Sequence, residues 1–336
     1  NDMAAELFHA KYNDFRSLTG MNTVALILMT LIDKGTKILI TDPQAGGHGS
    51  LPKLCDNLGI QYAPIPYDYM RMQIDYDGLN QILEQDSRVS FLFFCQSDII
   101  QPPELQKINL PPKVGIIYDA TQTLGLIAGG ALPNPLEACQ NIIMIGGTHK
   151  TFPSVTCGYV ATNNDNYINR VKQNISPNFL RNVQVNNITS VCLSMLEMLK
   201  FGEAYAQKII WTANALGDAL SGDGLRVKCT EDGAFSHTHQ LFIEVPKEQV
   251  DISYTHFRNY GITLNKRKTA YLTGFRLGVQ EIARYHFDEH IANLAHLLCL
   301  VLNSPEKYHE IMNLKATLAL CKSDQYVIDD LFMELE

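Results

Sequence analysis

Short apolar runs alternate with helix-like segments over the first two-thirds of the chain, and this alternation constrains the fold more than any other feature. Strands are predicted at residues 37–41, 61–65, 90–95, 114–118, 142–145 and 158–162. Residues 22–34, before the first of these strands, and residues 51–58 and 76–85, between later ones, carry apolar side chains at helical spacing. Strands separated by helices pair in parallel, because the crossover helix returns the chain to the same edge of the sheet. The pattern predicts an α/β fold whose mostly parallel sheet has helices on both faces.

The pattern changes near residue 200. Residues 187–220 are typical of long helices, and strands are predicted at 241–245, 262–265 and 274–278 before a helical tail. A chain of 336 residues is also longer than the chains that usually fold around a single hydrophobic core. We therefore expect a large domain over residues 1–202 and a smaller C-terminal α+β domain over residues 203–336.

Composition excludes several classes of protein. Hydrophobic residues make up 46% of the chain and charged residues 18%, which is typical of a globular protein. The net charge is −8 and no run of Lys and Arg stands out, so no nucleic-acid partner is expected. No apolar run is long enough for a membrane span, so no membrane partner is expected. The 8 cysteines are scattered without a C-x-x-C pair, which favours reduced thiols in the cytoplasm and no metal site.

Two strand ends carry the groups that indicate a reaction most directly. The strand at 114–118 ends on Asp119, and the strand at 142–145 leads through a predicted two-glycine turn to Thr148, His149 and Lys150. In parallel sheets the carboxyl ends of strands meet at one edge, where sites form. An amine that forms a Schiff base, beside a carboxylate that keeps a pyridine nitrogen protonated, is what pyridoxal 5'-phosphate (PLP) requires. Taken alone, a surface lysine and a helix-capping aspartate are the simpler interpretations.

Residues next to this pair extend the candidate cofactor site. The glycines and Thr148 before Lys150 allow close approach of the backbone, and His149 is placed to pack beside a phosphate or to hydrogen-bond it. Small residues follow Asp119 and suit the face of a planar ring. Gln122, three residues after that aspartate, is placed to hydrogen-bond the ring oxygen.

Two upstream segments suit an anion or another ligand. Thr19 and Gly20 precede the first long helix, whose free N-terminal amides attract a phosphate, although an ordinary N-cap explains them equally. His48 lies in a glycine-rich segment after a strand, which suits either a binding loop or a plain turn.

Arg276 lies inside a predicted apolar strand, and a charge in that position needs a partner. A structural ion pair would satisfy it. A guanidinium also matches a carboxylate with two parallel hydrogen bonds, so Arg276 is the candidate for binding a substrate carboxylate.

Taken together, these blocks resemble the serine hydroxymethyltransferase family of fold-type I PLP enzymes. The resemblance is carried by residues 119–130, 133–135 and 147–152, and it extends over residues 6–8, 46–48, 74–76, 265–266 and 274–276. It implies an aspartate aminotransferase-like fold and a small α-amino acid as substrate. It also implies a homodimer, or a dimer of dimers, with active sites shared between subunits.

The resemblance implies roles for individual residues as well. Lys150 carries the Schiff base, Asp119 pairs with the pyridine nitrogen, and Arg276 binds the substrate carboxylate. The phosphate is held by Thr19-Gly20-Met21, which stands where the family has Ser-Gly-Ser.

Several positions depart from the family pattern. Ala45 replaces a histidine that stacks on the cofactor ring, and Gln122 replaces a second histidine. Residues 181–187 stand in place of a glycine-rich loop that meets the neighbouring subunit's phosphate, and the segment 266–272 is shorter than its counterpart. These departures predict that PLP is kept while folate-dependent hydroxymethyl transfer is not.

Three functional hypotheses follow. The leading one is a transferase or lyase that performs aldol or retro-aldol chemistry at the Cα–Cβ bond of a small α-amino acid without folate. The second is an aminotransferase or a specialised biosynthetic enzyme on the same fold, because fold does not determine reaction. The third is a catalytically silent homologue that binds a ligand or a partner.

Overall fold

A computed structural model describes residues 1–269, 271–285, 287–321 and 326. Its helices are α1 (Asp2–Phe8), α2 (Gly20–Leu31), α3 (Ser50–Leu58), α4 (Tyr76–Gln85), α5 (Leu124–Ala128), α6 (Asp165–Asn174), α7 (Val185–Gly222), α8 (Val250–Asn259), α9 (Ile291–Asn303) and α10 (Tyr308–Leu318). Its strands are β1 (Tyr12–Asp14), β2 (Lys37–Ile40), β3 (Gln61–Pro64), β4 (Tyr67–Asp68), β5 (Gln73–Ile74), β6 (Val89–Phe94), β7 (Gly115–Asp119), β8 (Ile142–Gly147), β9 (Gly158–Thr162), β10 (Gln240–Glu244), β11 (Asn265–Lys268) and β12 (Thr273–Gly278).

The chain divides into two compact units. The N-terminal unit comprises Asn1–Ile99 and Pro103–Ala206, and the C-terminal unit comprises Ile100–Pro102 and Gln207–Glu336. Helix α7 belongs to both units. The functional domain boundary at residues 202 and 203 stays a prediction.

A seven-stranded sheet in the order β1-β9-β8-β7-β6-β2-β3 forms the N-terminal unit. The neighbours from β8 to β3 pair in parallel, whereas β9 pairs antiparallel with β8 and with β1. The predicted α/β fold with a mostly parallel sheet is therefore confirmed. Phe94 pairs with Tyr118, and Asp119 pairs with Ile145. This register brings the carboxyl ends of β6, β7 and β8 to one edge.

Both faces of the sheet are buried. Alternate residues of the strands, including Ile117, Ile143 and Ile145, pack into one core with helices α2, α3 and α6. The residues between them, such as Ile116 and Met144, point to the other face and are also buried. Burial on two faces explains why these strands read as continuous apolar runs rather than as alternating ones.

In the C-terminal unit, three antiparallel strands are arranged in the order β10-β12-β11. Arg276 lies in the central strand β12, opposite Phe242 of β10 and Asn265 of β11. Its side chain is part-buried and has interaction partners. The strand predicted at 274–278 is confirmed.

The prediction of a strand at 262–265 is wrong, because β11 begins at Asn265. The amide of Ile262 donates to the carbonyl of Phe257 and closes the C-terminal turn of α8, so this apolar residue belongs to the end of a helix. The prediction of a turn at Gly146 and Gly147 is also wrong. Strand β8 continues through both glycines, and Gly147 pairs with Gly158 of β9.

Two helix predictions also need correction. The first long helix ends at Leu31 rather than at residue 34, because Ile32 is extended. Residues 187–220 lie within the single helix α7 rather than in several. Within the described ranges, no helix is both long and apolar enough to cross a membrane.

Candidate active site

The carboxylate of Asp119 lies at the end of β7 and is held by donors from two segments. The Thr121 amide donates to Oδ1 at 2.9 Å, and the Thr121 hydroxyl donates to the same oxygen. The Cys95 thiol, which directly follows β6, donates to Oδ2 at 3.2 Å. Burial raises the pKa of Asp119, while the bonds from Thr121 and Cys95 and the nearby His48 lower it in part. A pyridinium ion beside this carboxylate would offset the cost of its burial.

Three segments meet at the hydroxyl of Thr121. Its oxygen accepts a hydrogen bond from the amide of Gly147, the last residue of β8, at 2.9 Å. A Cβ atom added to Gly20, the first residue of α2, would lie 3.2 Å from the same oxygen and 3.2 Å from the Gly147 amide nitrogen. The ends of β7 and β8 and the start of α2 are therefore in contact, and glycine allows the close approach.

The start of α2 has a geometry that suits an anion. Thr19 is the N-cap, and its hydroxyl accepts a hydrogen bond from the amide of Asn22 at 3.2 Å. The amides of Gly20 and Met21 belong to the first helical turn, which has no carbonyl partners within the helix. The Met21 side chain packs against the core, so only its backbone suits a phosphate. Strand β9 supports this turn through Gly158, whose amide donates to the Ser17 carbonyl at 2.8 Å.

Lys150 follows β8 by three residues and lies in a loop that is tied down on both sides of it. The Thr148 hydroxyl donates to the Val155 carbonyl at 2.6 Å and accepts from the Cys157 amide at 3.0 Å. The buried Thr151 hydroxyl donates to the Gln122 carbonyl and accepts from the Gly125 amide, both at 3.0 Å. Lys150 itself is part-buried and has interaction partners. Thr148, predicted to bind the cofactor, thus uses its hydroxyl within the loop, and its role in cofactor binding stays a prediction.

The ring of His149 stands over Gly147. A Cβ atom on Gly147 would lie 3.1 Å from Cε1 of His149, so only glycine leaves this space open. Partial burial and the charge of Lys150 lower the pKa of His149. The lowered pKa favours the neutral imidazole, the form that accepts a proton, although the residue as a whole is exposed.

His48 is positioned by the glycines before it. Gly46 has φ +83°, and its carbonyl accepts from the amides of Ser97 at 2.7 Å and Asp98 at 3.0 Å. The His48 amide then donates to the Cys95 carbonyl at 2.8 Å. The glycine-rich segment is therefore a tight packing element that brings His48 to the edge where Asp119 lies.

Ala45 and Gln122 occupy positions where the family pattern has histidine. Ala45 is buried, with 3% of its surface exposed, in the turn that precedes Gly46. Gln122 is 9% exposed, and its backbone carbonyl binds Thr151. Its side chain has interaction partners, and its bond to a ring oxygen stays a prediction.

The N-terminal unit thus brings together Asp119, the loop of Lys150, His149, His48 and the start of α2. Arg276 lies in the C-terminal unit, and its role stays a prediction. Sequence reasoning did not single out Cys95, Thr121 or Thr151. A signal was available for two of them: Cys95 directly follows β6, and Thr121 lies two residues after the end of β7.

These residues fit PLP. The start of α2 suits a phosphate, the Asp119 carboxylate suits a pyridinium, and Lys150 supplies an amine at the end of the neighbouring strand. Gly20 and Gly147 keep side chains out of the region between them.

Comparison with known proteins gives the family. The profile of the family described as "Serine hydroxymethyltransferase" matches residues 1–298. This chain belongs to the serine hydroxymethyltransferase family. It is 32% identical to the serine hydroxymethyltransferase of Sulfolobus acidocaldarius over 85% of this chain and 69% of that protein. It is 31% identical to that of Picrophilus torridus over 88% of this chain and 72% of the relative.

A solved structure agrees in fold. The crystal structure of L-threonine transaldolase from Pseudomonas fluorescens superposes with a TM-score of 0.88, covering 99% of this chain and 79% of that one at 23% identity. The family consists of PLP enzymes, so the predictions of fold type I, of an enzyme of transferase or aldolase type and of PLP as cofactor are confirmed.

Proposed function

We propose that the chain is a PLP enzyme that makes or breaks the Cα–Cβ bond of a small β-hydroxy-α-amino acid without folate. The observation that carries the proposal is the contact of three elements around Thr121: the strand ends that bear Asp119 and Lys150, and the start of α2. The substitutions at Ala45, Gln122 and residues 181–187 support a reaction that differs from folate-dependent transfer.

Each group has one task in this proposal. PLP, when bound, supplies an electron-withdrawing ring attached to the substrate amine. Asp119 would hold a proton at the pyridine nitrogen, the start of α2 would bind the phosphate, and the amine of Lys150 would hold the cofactor. Arg276 binds the substrate carboxylate and so orients the Cα–Cβ bond.

In the cleavage direction, neutral His149 accepts the proton of the substrate's β-hydroxyl group. The Cα–Cβ bond breaks, its electron pair goes to Cα, and the β-carbon leaves as an aldehyde. Cα then takes up one proton in place of the one that His149 accepted, which His149 gives back to Cα or to solvent, so the products are glycine and the aldehyde. The low pKa of His149 favours the neutral imidazole that this proton transfer needs.

The test measures aldehyde release from L-threonine and other β-hydroxy-α-amino acids, with PLP and with or without tetrahydrofolate. Release without folate, lost in Lys150→Ala, supports the proposal. Conversion of L-serine that depends strictly on tetrahydrofolate would overturn the folate-free part and match the activity by which the archaeal relatives are named.

Two other results would favour the alternative hypotheses. Amino-group transfer to a keto acid, without aldehyde release, would indicate an aminotransferase. If the chain does not bind PLP at all, the visible absorption of the cofactor will not change on mixing, and a silent homologue would be the better description.

The assembly that we propose is a homodimer or a dimer of dimers. Residues 181–186, around the start of α7, are exposed. The family resemblance implies that this segment contacts the phosphate of the cofactor bound to the neighbouring subunit. Light scattering of the active enzyme tests the assembly, and a fully active monomer would contradict it. The location that we propose is the cytoplasm, supported by eight cysteines that are all free thiols.

A further inference from the structure

Among the residues that the structure describes, three hydrogen bonds reach the Asp119 carboxylate. Two reach Oδ1 from the amide and hydroxyl of Thr121, and one reaches Oδ2 from the thiol of Cys95. An ionised carboxylate has about four acceptor positions. The position that remains is on Oδ2, where a protonated pyridine nitrogen would bind.

The direction of the Thr121 hydroxyl bond is set by its other partner. Gly147 donates its amide proton to the Thr121 oxygen at 2.9 Å, and a backbone amide can only donate. The hydroxyl proton is thereby free to point to Asp119, which accepts it as an anion. Thr121 thus joins the end of β8, which leads to Lys150, to the carboxylate at the end of β7.

We propose that Thr121 is a positioning residue: its hydroxyl couples the end of β8 to Asp119 and, together with the Cys95 thiol, keeps that carboxylate ionised with one acceptor position open. The identity of the ring that fills this position rests on the proposed function. The hydrogen bonds themselves do not.

The thiol of Cys95 has the right protonation state for this role. Cys95 is buried, and burial together with the charge of Asp119 raises the pKa of the thiol well above its usual range. The thiol therefore remains protonated at neutral pH and acts as a donor. Since both sets of bonds favour the carboxylate anion, loss of either one should make Asp119 easier to protonate.

The experiment follows the titration of Asp119 in the full chain without cofactor. The protein carries ¹³C-labelled aspartate, and the Asp119 signal is assigned by its loss in Asp119→Asn. We expect Thr121→Val to raise the titration midpoint by about one pH unit, a tenfold change in the ionisation constant, because valine keeps the shape without the donor. Thr121→Ser should restore the midpoint, and Cys95→Ala should raise it in the same direction.

Thr162→Val is the matched control. The buried Thr162 hydroxyl also donates one bond, to the Ile142 carbonyl at 2.7 Å, and accepts one, from the Asn164 amide at 3.1 Å. Its loss removes the same kind of contacts at a place remote from Asp119, so the Asp119 midpoint should not move. A wild-type midpoint in Thr121→Val would overturn the proposal, whatever Cys95→Ala shows.

A second readout uses the loaded protein. The pH dependence of the visible absorption of bound PLP should shift in Thr121→Val and return in Thr121→Ser, whatever the turnover. If wild-type protein takes up no PLP while the Asp119 midpoints still shift, the proposed function fails and the positioning role stands. If PLP binds at Lys150 and the midpoints do not shift, the positioning role fails and the proposed function stands.

Discussion

Thr151→Val is the substitution whose effect on stability can be worked out most directly from the structure. The Thr151 side chain is fully buried next to Lys150, and its hydroxyl binds two backbone groups of one segment, 26 and 29 residues away in sequence. It donates to the Gln122 carbonyl and accepts from the Gly125 amide. Valine has nearly the same shape but can make neither bond.

The expected cost follows from the two backbone groups left behind. Each buried group without a hydrogen-bond partner costs about 1–3 kcal/mol, so Thr151→Val should lower the free energy of unfolding by about 2–6 kcal/mol. In a unit of this size, 1 kcal/mol corresponds to about 2–4 °C in the unfolding midpoint, so a decrease of at least about 4 °C is expected. Thr151→Ser keeps the hydroxyl and loses one methyl group, which costs only about 1 kcal/mol.

The assay is differential scanning calorimetry of the cofactor-free chain, with Thr30→Val and Thr41→Val as controls. Both hydroxyls are buried and have no hydrogen-bond partner in the described part of the chain. Replacing them with a methyl group should be neutral or stabilising, since no bond is lost. If Thr151→Val melts within about 1 °C of the wild type, or no lower than these two controls, the hydrogen-bond argument is refuted.

Four further outcomes are expected. Lys150→Ala should abolish borohydride-trapped attachment of PLP, detected by mass spectrometry, and most of the turnover, whereas retained attachment would point to another amine. The pKa of Asp119 is raised in the folded chain, so the unfolded chain loses the Asp119 proton at a lower pH than the folded chain does. The free energy of unfolding of the cofactor-free protein should therefore fall as pH rises from about 4 through the folded pKa. Asp119→Asn should lack this component in melts across the same range, and an identical profile would contradict it. Gly158→Ala would place a Cβ atom 2.7 Å from the Thr19 carbonyl oxygen and should cost about 1–3 kcal/mol and weaken PLP binding in a spectroscopic titration. Arg276→Lys should raise KM for the amino acid more than it lowers kcat, and an unchanged KM would exclude the carboxylate role.

The parallel sheet was predictable from sequence because its strands are buried on both faces. Continuous apolar runs such as 90–95 and 114–118 are typical of strands in a parallel sheet that is covered on both faces. Strand β11 was not predictable in the same way. Its residues, Asn265 to Lys268, are mostly exposed and charged at the edge of a small sheet, where lysines discourage further strand pairing.

The candidate site was predictable to the extent that local sequence determines it. Thr19 is a helix N-cap, and Asp119 ends a strand, so each has a local signal. The bonds that fix their geometry join distant segments. Cys95 and Asp119 are 24 residues apart in sequence, and Gly147 and Thr121 are 26 apart. A single sequence does not show which residues pair over such separations.

The same contacts suggest how this chain holds its cofactor without the stacking histidine of its family. Ala45 is buried in a turn and offers only a methyl group, so little contact with a ring face is available from that position. In the proposed function, the contacts that hold the cofactor would be electrostatic: the start of α2 for the phosphate and Asp119 for the pyridine nitrogen. Thr121 contacts both of these groups, since its oxygen lies near Gly20 and its proton is donated to Asp119. If PLP is held in this way, its affinity should fall as Asp119 becomes protonated, and a spectroscopic titration of PLP against pH in Ala45→His tests whether a histidine at this position reduces that dependence.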